Sequence, residues 1–255
     1  MSAVKYGETL WSEVFPGNRH TVRCLQPAVL ATETALELAP ARRQRMVWRL
    51  DGGAGSDDQL RWLLDRQYHV VAKGTSNRRA QALAQQVTRW DRYHDAWLGE
   101  VSPPVDFGRP VRVWVKRRLK ADDYVHSYYV TTLTLPSKAA MMTVYDQRGG
   151  AEVEQFRNDK SGLALAARRK RRLFAQQALV LLTDLAHNLL ADFHHRALIG
   201  SPFEMFGPKR IVRDLLAIPG QAVFGGSQLK RIDLLDSHPY AEQLLICLER
   251  CCAGD

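Results

Sequence analysis

A tyrosine, an arginine, a glutamate and a lysine fall within residues 145–160, YDQRGGAEVEQFRNDK, at offsets that suit one face of a helix. At ~100° per residue, with Tyr145 at zero, Arg148 falls near about −60°, Glu152 near about −20° and Lys160 near about +60°. Glu154 falls on the opposite side, so Glu152 is the better candidate for shared work. A carboxylate between two cations suits an anionic ligand or a metal-bound phosphate. The same spacing also describes a solvated helix with ordinary ion pairs, and Gly149-Gly150 weaken the helix where the stripe begins. Asp51 is the second candidate. It closes a short β-prone run, MVWRL, and is followed by Gly52-Gly53-Ala54-Gly55, which let a ligand or another backbone come close. A carboxylate at a strand end can hold Mg²⁺, although an Asp-Gly turn is also common.

The elements that must position these residues are legible in outline. A helix is expected over 25–38 and a basic loop at Arg42, Arg43 and Arg45. A buried strand over 46–50 follows. Ser56 or Asp57 can cap a helix over 57–67. Residues 68–72, YHVVA, read as a second buried strand and 77–90 as an amphipathic helix. Strand, helix, strand, helix at short spacing implies an α/β core with parallel strands. Residues 111–119 and 125–135 read as antiparallel strands of an insertion. Within the first of these, Trp114 sits among cations, as in a base-stacking strand, but a core tryptophan is the simpler reading. A long helix is expected over 173–195, with His187-Asn188 as a hydrogen-bonded core pair. A short helix over 209–216, a hairpin over 222–234 and a last helix from Pro239 complete the chain.

The 255 residues carry a formal net charge of +9, which points to a polyanionic partner, nucleic acid first. The densest charge is Arg168-Arg169-Lys170-Arg171-Arg172, ahead of the long helix. Cations there oppose the helix dipole, so phosphate contact is the favoured reading. The four cysteines form no CxxC pair and suggest free thiols in a reducing cytoplasm. The chain opens with no signal peptide, and the longest apolar run is too short to cross a membrane.

The 145–160 segment resembles the Tyr-x2-Arg-x3-Glu-x6-Lys signature of DDE transposases from bacterial insertion sequences. Tyr145, Arg148 and Glu152 match in type and spacing. The lysine comes one residue late, as Lys160, with Asp159 in its place. RLDGGAG, around Asp51, resembles the second-aspartate region of the same family, with Ala54 where phenylalanine is usual. The resemblance covers most of the chain. It implies a ribonuclease-H-like α/β core, incomplete at the amino end, with a β-rich insertion and a helical carboxy-terminal region. The implied division is 1–97 and 141–200 for the core, 98–140 for the insertion and 201–255 for carboxy-terminal helices and hairpin. It further implies Mg²⁺, with Mn²⁺ as substitute, held by Asp51 and Glu152 for DNA strand cleavage and transfer at element ends. Tyr145, Arg148, Lys160 and the run 168–172 would contact DNA phosphate. The partners would be double-stranded DNA, at element ends and target, and a second copy of the complete chain; the location would be cytoplasmic, at the nucleoid. Residues 1–50 contain no aspartate. The expectation is therefore an amino-terminally truncated enzyme lacking its first carboxylate and inactive alone. The alternative is a non-catalytic DNA-binding remnant.

Overall fold

The computed structural model describes residues 1–3, 7–168 and 170–252; of Thr21, residues 148–158 and Cys252 it describes the backbone only. The chain forms two compact units, one of Gly17–Gly150 and one of Met1–Pro16 with Ala151–Asp255. The chain opens on a small antiparallel ribbon, β1 (Ser2–Ala3) and β2 (Glu8–Thr9), which belongs to the second unit.

The first unit is built on a six-stranded mixed sheet. A first helix, α1 (Leu25–Ala35), is followed by a 3-10 segment, Pro40–Arg45, and by β3 (Val47–Leu50). Then come α2 (Asp57–Asp65), β4 (His69–Lys73) and α3 (Asn77–Ala84). Four antiparallel strands complete the sheet: β5 (Trp90–Tyr93), β6 (Ala96–Val101), β7 (Arg112–Lys120) and β8 (Asp123–Thr131). The spatial order is β3-β4-β8-β7-β6-β5. β3 and β4 are parallel, in the register Val47↔His69 to Leu50↔Ala72, so the expected βαβ crossover is present. β8 pairs with β4, which places the strands expected in an insertion in the same sheet as β3 and β4.

Both sheet faces carry helices. On one, Met141, Met142 and Tyr145 of α4 (Lys138–Ser161) pack on Val71, Leu98, Trp114 and Tyr129. On the other, Leu60, Leu63 and Leu64 of α2 and Ala80 and Leu83 of α3 are fully buried. Gly99 shows how closely the segment after α3 approaches: a Cβ there would lie 2.1 Å from Val87 Cγ1. The expected helix over 77–90 ends early, because Trp90 begins β5 instead. The alternation in 90–93 is too short to distinguish from a helix tail in the sequence. Glu33 ties α1 to this layer, accepting hydrogen bonds from Arg43 at 3.1 Å and Tyr68 at 2.6 Å, as well as from Arg66.

The second unit is mainly helical. The unbroken apolar pattern produces α5 (Leu173–Phe193), which runs on into a π-helical turn, His194–Leu198. After α6 (Pro208–Arg210) and a second π turn, Ile211–Leu215, an antiparallel hairpin forms from β9 (Gly220–Gly225) and β10 (Gln228–Leu234). The last helix, α7 (Ala241–Cys252), delivers Leu244 and Cys247 to a core shared with Leu190, Leu198, Phe203, Phe206 and Ile211. The amino-terminal ribbon, which has no signal in the sequence, is tied to α5 through Asn188. Its side chain accepts from Thr9 N at 2.8 Å and donates to Thr9 O at 2.9 Å.

Candidate active site

Asp51 lies immediately beyond the carboxyl end of β3, at the same end of the parallel pair as Lys73 of β4. Its side chain is exposed, and Oδ1 accepts the Gly53 N–H at 3.0 Å, a bond across two residues that fixes the carboxylate over its own turn. The glycines answer to the neighbouring strand. A Cβ on Gly55 would sit 1.9 Å from the Lys73 carbonyl oxygen, so only glycine lets the loop lie against β4. Asp57, at the start of α2, is committed elsewhere: both its oxygens accept from Arg79 Nη1, at 2.7 and 2.8 Å. Ser56 holds the N-cap position of α2 without a capping side-chain bond. Asp51 is thus the open carboxylate of this turn, a hard oxygen donor with Oδ2 outside the Asx bond, and it suits a divalent cation.

The second expected ligand, Glu152, and its competitor Glu154 lie on α4, but their side chains fall outside the described residues, as does that of Arg148. Tyr145 is described, and it is buried. Its ring meets Tyr129 edge-on at a centroid distance of 4.8 Å. The ring anchors the first half of α4 on the sheet. Lys160 is exposed in the last turn of α4, where a cation is favoured by the helix dipole. Arg168, Lys170, Arg171 and Arg172 are exposed ahead of α5, and Arg169 lies outside the described residues. Trp114 is fully buried beneath α4, the core placement expected for it.

One polar group had no signal in the sequence. Asp159, standing where the signature has its lysine, is buried and accepts from His187 Nδ1 at 2.8 Å. The other imidazole nitrogen donates to the Gly7 carbonyl oxygen, also at 2.8 Å. The nitrogen facing the backbone carbonyl must donate, and the pairing of the other with the Asp159 carboxyl favours the protonated ring. Burial pulls its pKa down, but the Asp159 hydrogen bond, the Gly7 carbonyl and the charges of Asp159 and Asp184 outweigh it, and the net shift is upward. Asp184, one turn earlier on α5, has a buried Oδ2 with no hydrogen-bond partner among the described residues, and burial raises its pKa. Ser12, Glu13, Asp159 and Asp184 line a cavity of about 390 Å³. His187 was expected as a hydrogen-bonded core residue, and it is one; its partner, 28 residues upstream, could not be read from spacing. Among the described residues no three His, Cys, Asp or Glu side chains converge as metal ligands.

A mixed α/β sheet that places a carboxylate beyond the end of a parallel strand fits the ribonuclease-H-like class of nucleic-acid-processing enzymes. Residues 9–252 match the family described as transposase DDE domain group 1, and the chain belongs to that family. No curated protein matches the sequence. Membership makes the chain a transposase of the polynucleotidyl transferase kind, with DNA as partner and a divalent metal as the usual cofactor of the family. Among the described residues no helix is long and apolar enough to cross a membrane.

Proposed function

We propose that this chain carries part of a transposase active site for Mg²⁺-dependent cleavage and transfer of insertion-sequence ends, with Asp51 and Glu152 as two of its metal ligands. The observation that carries this reading is the exposed Asp51 carboxylate, held by Gly53 beyond the end of β3, in a chain matching the DDE transposase family over residues 9–252. The bound ions, with Mn²⁺ able to replace Mg²⁺, would activate the attacking oxygen and stabilise the leaving one. The protein's own part is to position. β3 and the Asx turn fix Asp51, α4 bears Glu152, and Arg148, Lys160 and the run 168–172 hold the phosphate backbone of duplex DNA. The working form is a homodimer on element ends and target, in the cytoplasm at the nucleoid.

The first aspartate of the triad is, in this reading, absent from the chain. Residues 1–50 contain none, and β3 has a single neighbour, β4, so its other edge has no partner among the described residues. In this reading a strand bearing the missing carboxylate would pair at that edge, where it would satisfy the open N–H and C=O groups. The same missing carboxylate favours a second reading, a remnant that binds DNA without turnover.

The two readings separate in a strand-transfer assay with a precut element end, target DNA and Mg²⁺ or Mn²⁺. The chain alone should be inactive, and an extension encoding an aspartate-bearing strand should restore transfer that Asp51→Ala abolishes. No transfer with the extension favours the remnant. Robust transfer by the chain alone would contradict the missing-ligand account and place the third carboxylate among Glu13, Glu33 and their neighbours.

A further inference from the structure

The cationic stretch around Trp114 holds a second pattern, on the opposite parity of β7. The register places Arg92 of β5 opposite Trp97 of β6, Trp97 opposite Arg117 of β7, and Arg117 opposite His126 of β8. Successive residues of a strand alternate faces, so these four side chains form one row across four strands, on the face away from Trp114. Trp90 and Tyr124 share that face, Trp90 two residues from Arg92 and Tyr124 two from His126. The Arg117 guanidinium lies 4.2 Å from the Trp90 ring centroid, 4.9 Å from Tyr124 and 5.4 Å from Trp97. Trp97 and Tyr124 meet edge-on at 5.8 Å. α3 and the segment after it cover the adjacent row: Tyr128 is buried under Arg79, and Val87 sits on Gly99. The row itself lies beyond that cover. Trp90 and Trp97 are half-buried and Tyr124 is 43% exposed.

Two polar atoms in this row are unsatisfied. Arg117 Nε and His126 Nδ1 are buried with no hydrogen-bond partner among the described residues. A buried polar atom without a partner is uncommon, and here two such atoms belong to one cross-strand pair. Burial, and after it the Arg117 charge, push the His126 pKa down. Partly exposed flat aromatic rings with a guanidinium held between them describe a surface for a planar, negatively charged ligand. The exposed cation Arg92 stands in the same row, and Arg89 and Lys120 are exposed on neighbouring residues. Duplex DNA offers this row only its phosphates, because its base faces are already stacked. A single strand offers both phosphates and unstacked bases.

We propose that the row Arg92, Trp97, Arg117, His126, with Trp90 and Tyr124, is a stacking site for unpaired bases of single-stranded DNA. This rests on the chain being a DNA-acting protein, as read above, and goes beyond it in assigning a place and a form of DNA. Bases stack on Tyr124 and Trp97, and the exposed Arg92 meets a phosphate of the strand.

The test measures fluorescence polarisation of a labelled oligothymidylate of about 12 nucleotides and of a duplex of similar length, with the full chain and its variants. Tyr124→Ser and Trp97→Leu should each weaken oligothymidylate binding by about tenfold or more, leave duplex binding within about twofold, and Tyr124→Phe should restore it. Because Tyr124 is exposed at the strand end, its removal tests the site without removing core. Unchanged oligothymidylate binding in both variants would overturn the proposal, as would equal losses on single strand and duplex. Parent protein that binds duplex but not oligothymidylate overturns this site alone. Parent protein that binds neither overturns the DNA reading with it.

Discussion

Asp51 and Asp159 are both aspartates in segments that resemble transposase motifs, and their surroundings are opposite. Asp51 is exposed and engages one backbone N–H. Asp159 is buried and hydrogen-bonded to His187, whose other ring nitrogen is held by a backbone carbonyl. The difference separates a carboxylate open to a cation from one used in packing. It also gives a physical reason for the departure at position 159. An aspartate there joins α5 and the amino-terminal segment through His187, a role a lysine cannot fill, and the lysine follows at the exposed position 160.

Breaking the buried side of this contrast should have the largest effect. His187→Ala leaves Asp159 buried without its counter-charge and should destabilise the second unit by about 3–5 kcal/mol in chemical denaturation. Asp51→Ala, by contrast, removes an exposed group and should change stability by no more than about 0.5 kcal/mol. Equal losses in the two variants would erase the distinction.

Gly55→Ala comes next. Its Cβ would meet the Lys73 carbonyl oxygen, a backbone atom that cannot swing aside, so a loss of about 1–3 kcal/mol is expected, with the Asp51 turn displaced. A parent-like melting temperature and an unshifted Asp51 environment by NMR would show that the loop has slack.

A third outcome concerns pH. The folded pKa of His187 is raised, so its contribution is complete below the unfolded value near 6.5 and is lost as pH rises through the folded value. Asp184 acts in the same direction, because its raised pKa disfavours the charged form in the folded state. Stability of the second unit should therefore fall from mildly acidic to alkaline pH, and His187→Asn should flatten that slope. A stability that rises with pH would contradict the imidazolium assignment.

The smallest effect belongs to the cationic run. Replacing Arg168, Arg169 and Lys170 by glutamine should reduce the slope of log K against log salt for duplex DNA by about 0.9 per lost contact. An unchanged slope would show that the run faces solvent in the complex.

The parts legible in the sequence were those governed by local rules. Valine-rich runs bounded by turn residues gave β3 and β4 to within a residue or two, and a long apolar period gave α5. Asp51 stood out because glycines follow it at a strand end. The end of α3 was misread because 85–90 has no glycine or proline to stop a helix. Trp114 drew attention as a stacking residue, while the stacking row lies on the other parity, since a strand's sequence does not show which face its helices cover. The Asp159–His187 bond and the amino-terminal ribbon were invisible because both depend on residues brought together from far along the chain.

The central claim, that Asp51 and Glu152 share a metal, is tested most directly by iron-directed cleavage. Fe²⁺ takes the Mg²⁺ position, and with ascorbate and peroxide it cuts the backbone next to the ion. The account predicts cuts at both 51–53 and 150–154, competed by Mg²⁺ and lost together in either Asp51→Asn or Glu152→Gln. Cuts confined to one segment, or cuts near residue 51 that survive Glu152→Gln, would contradict it.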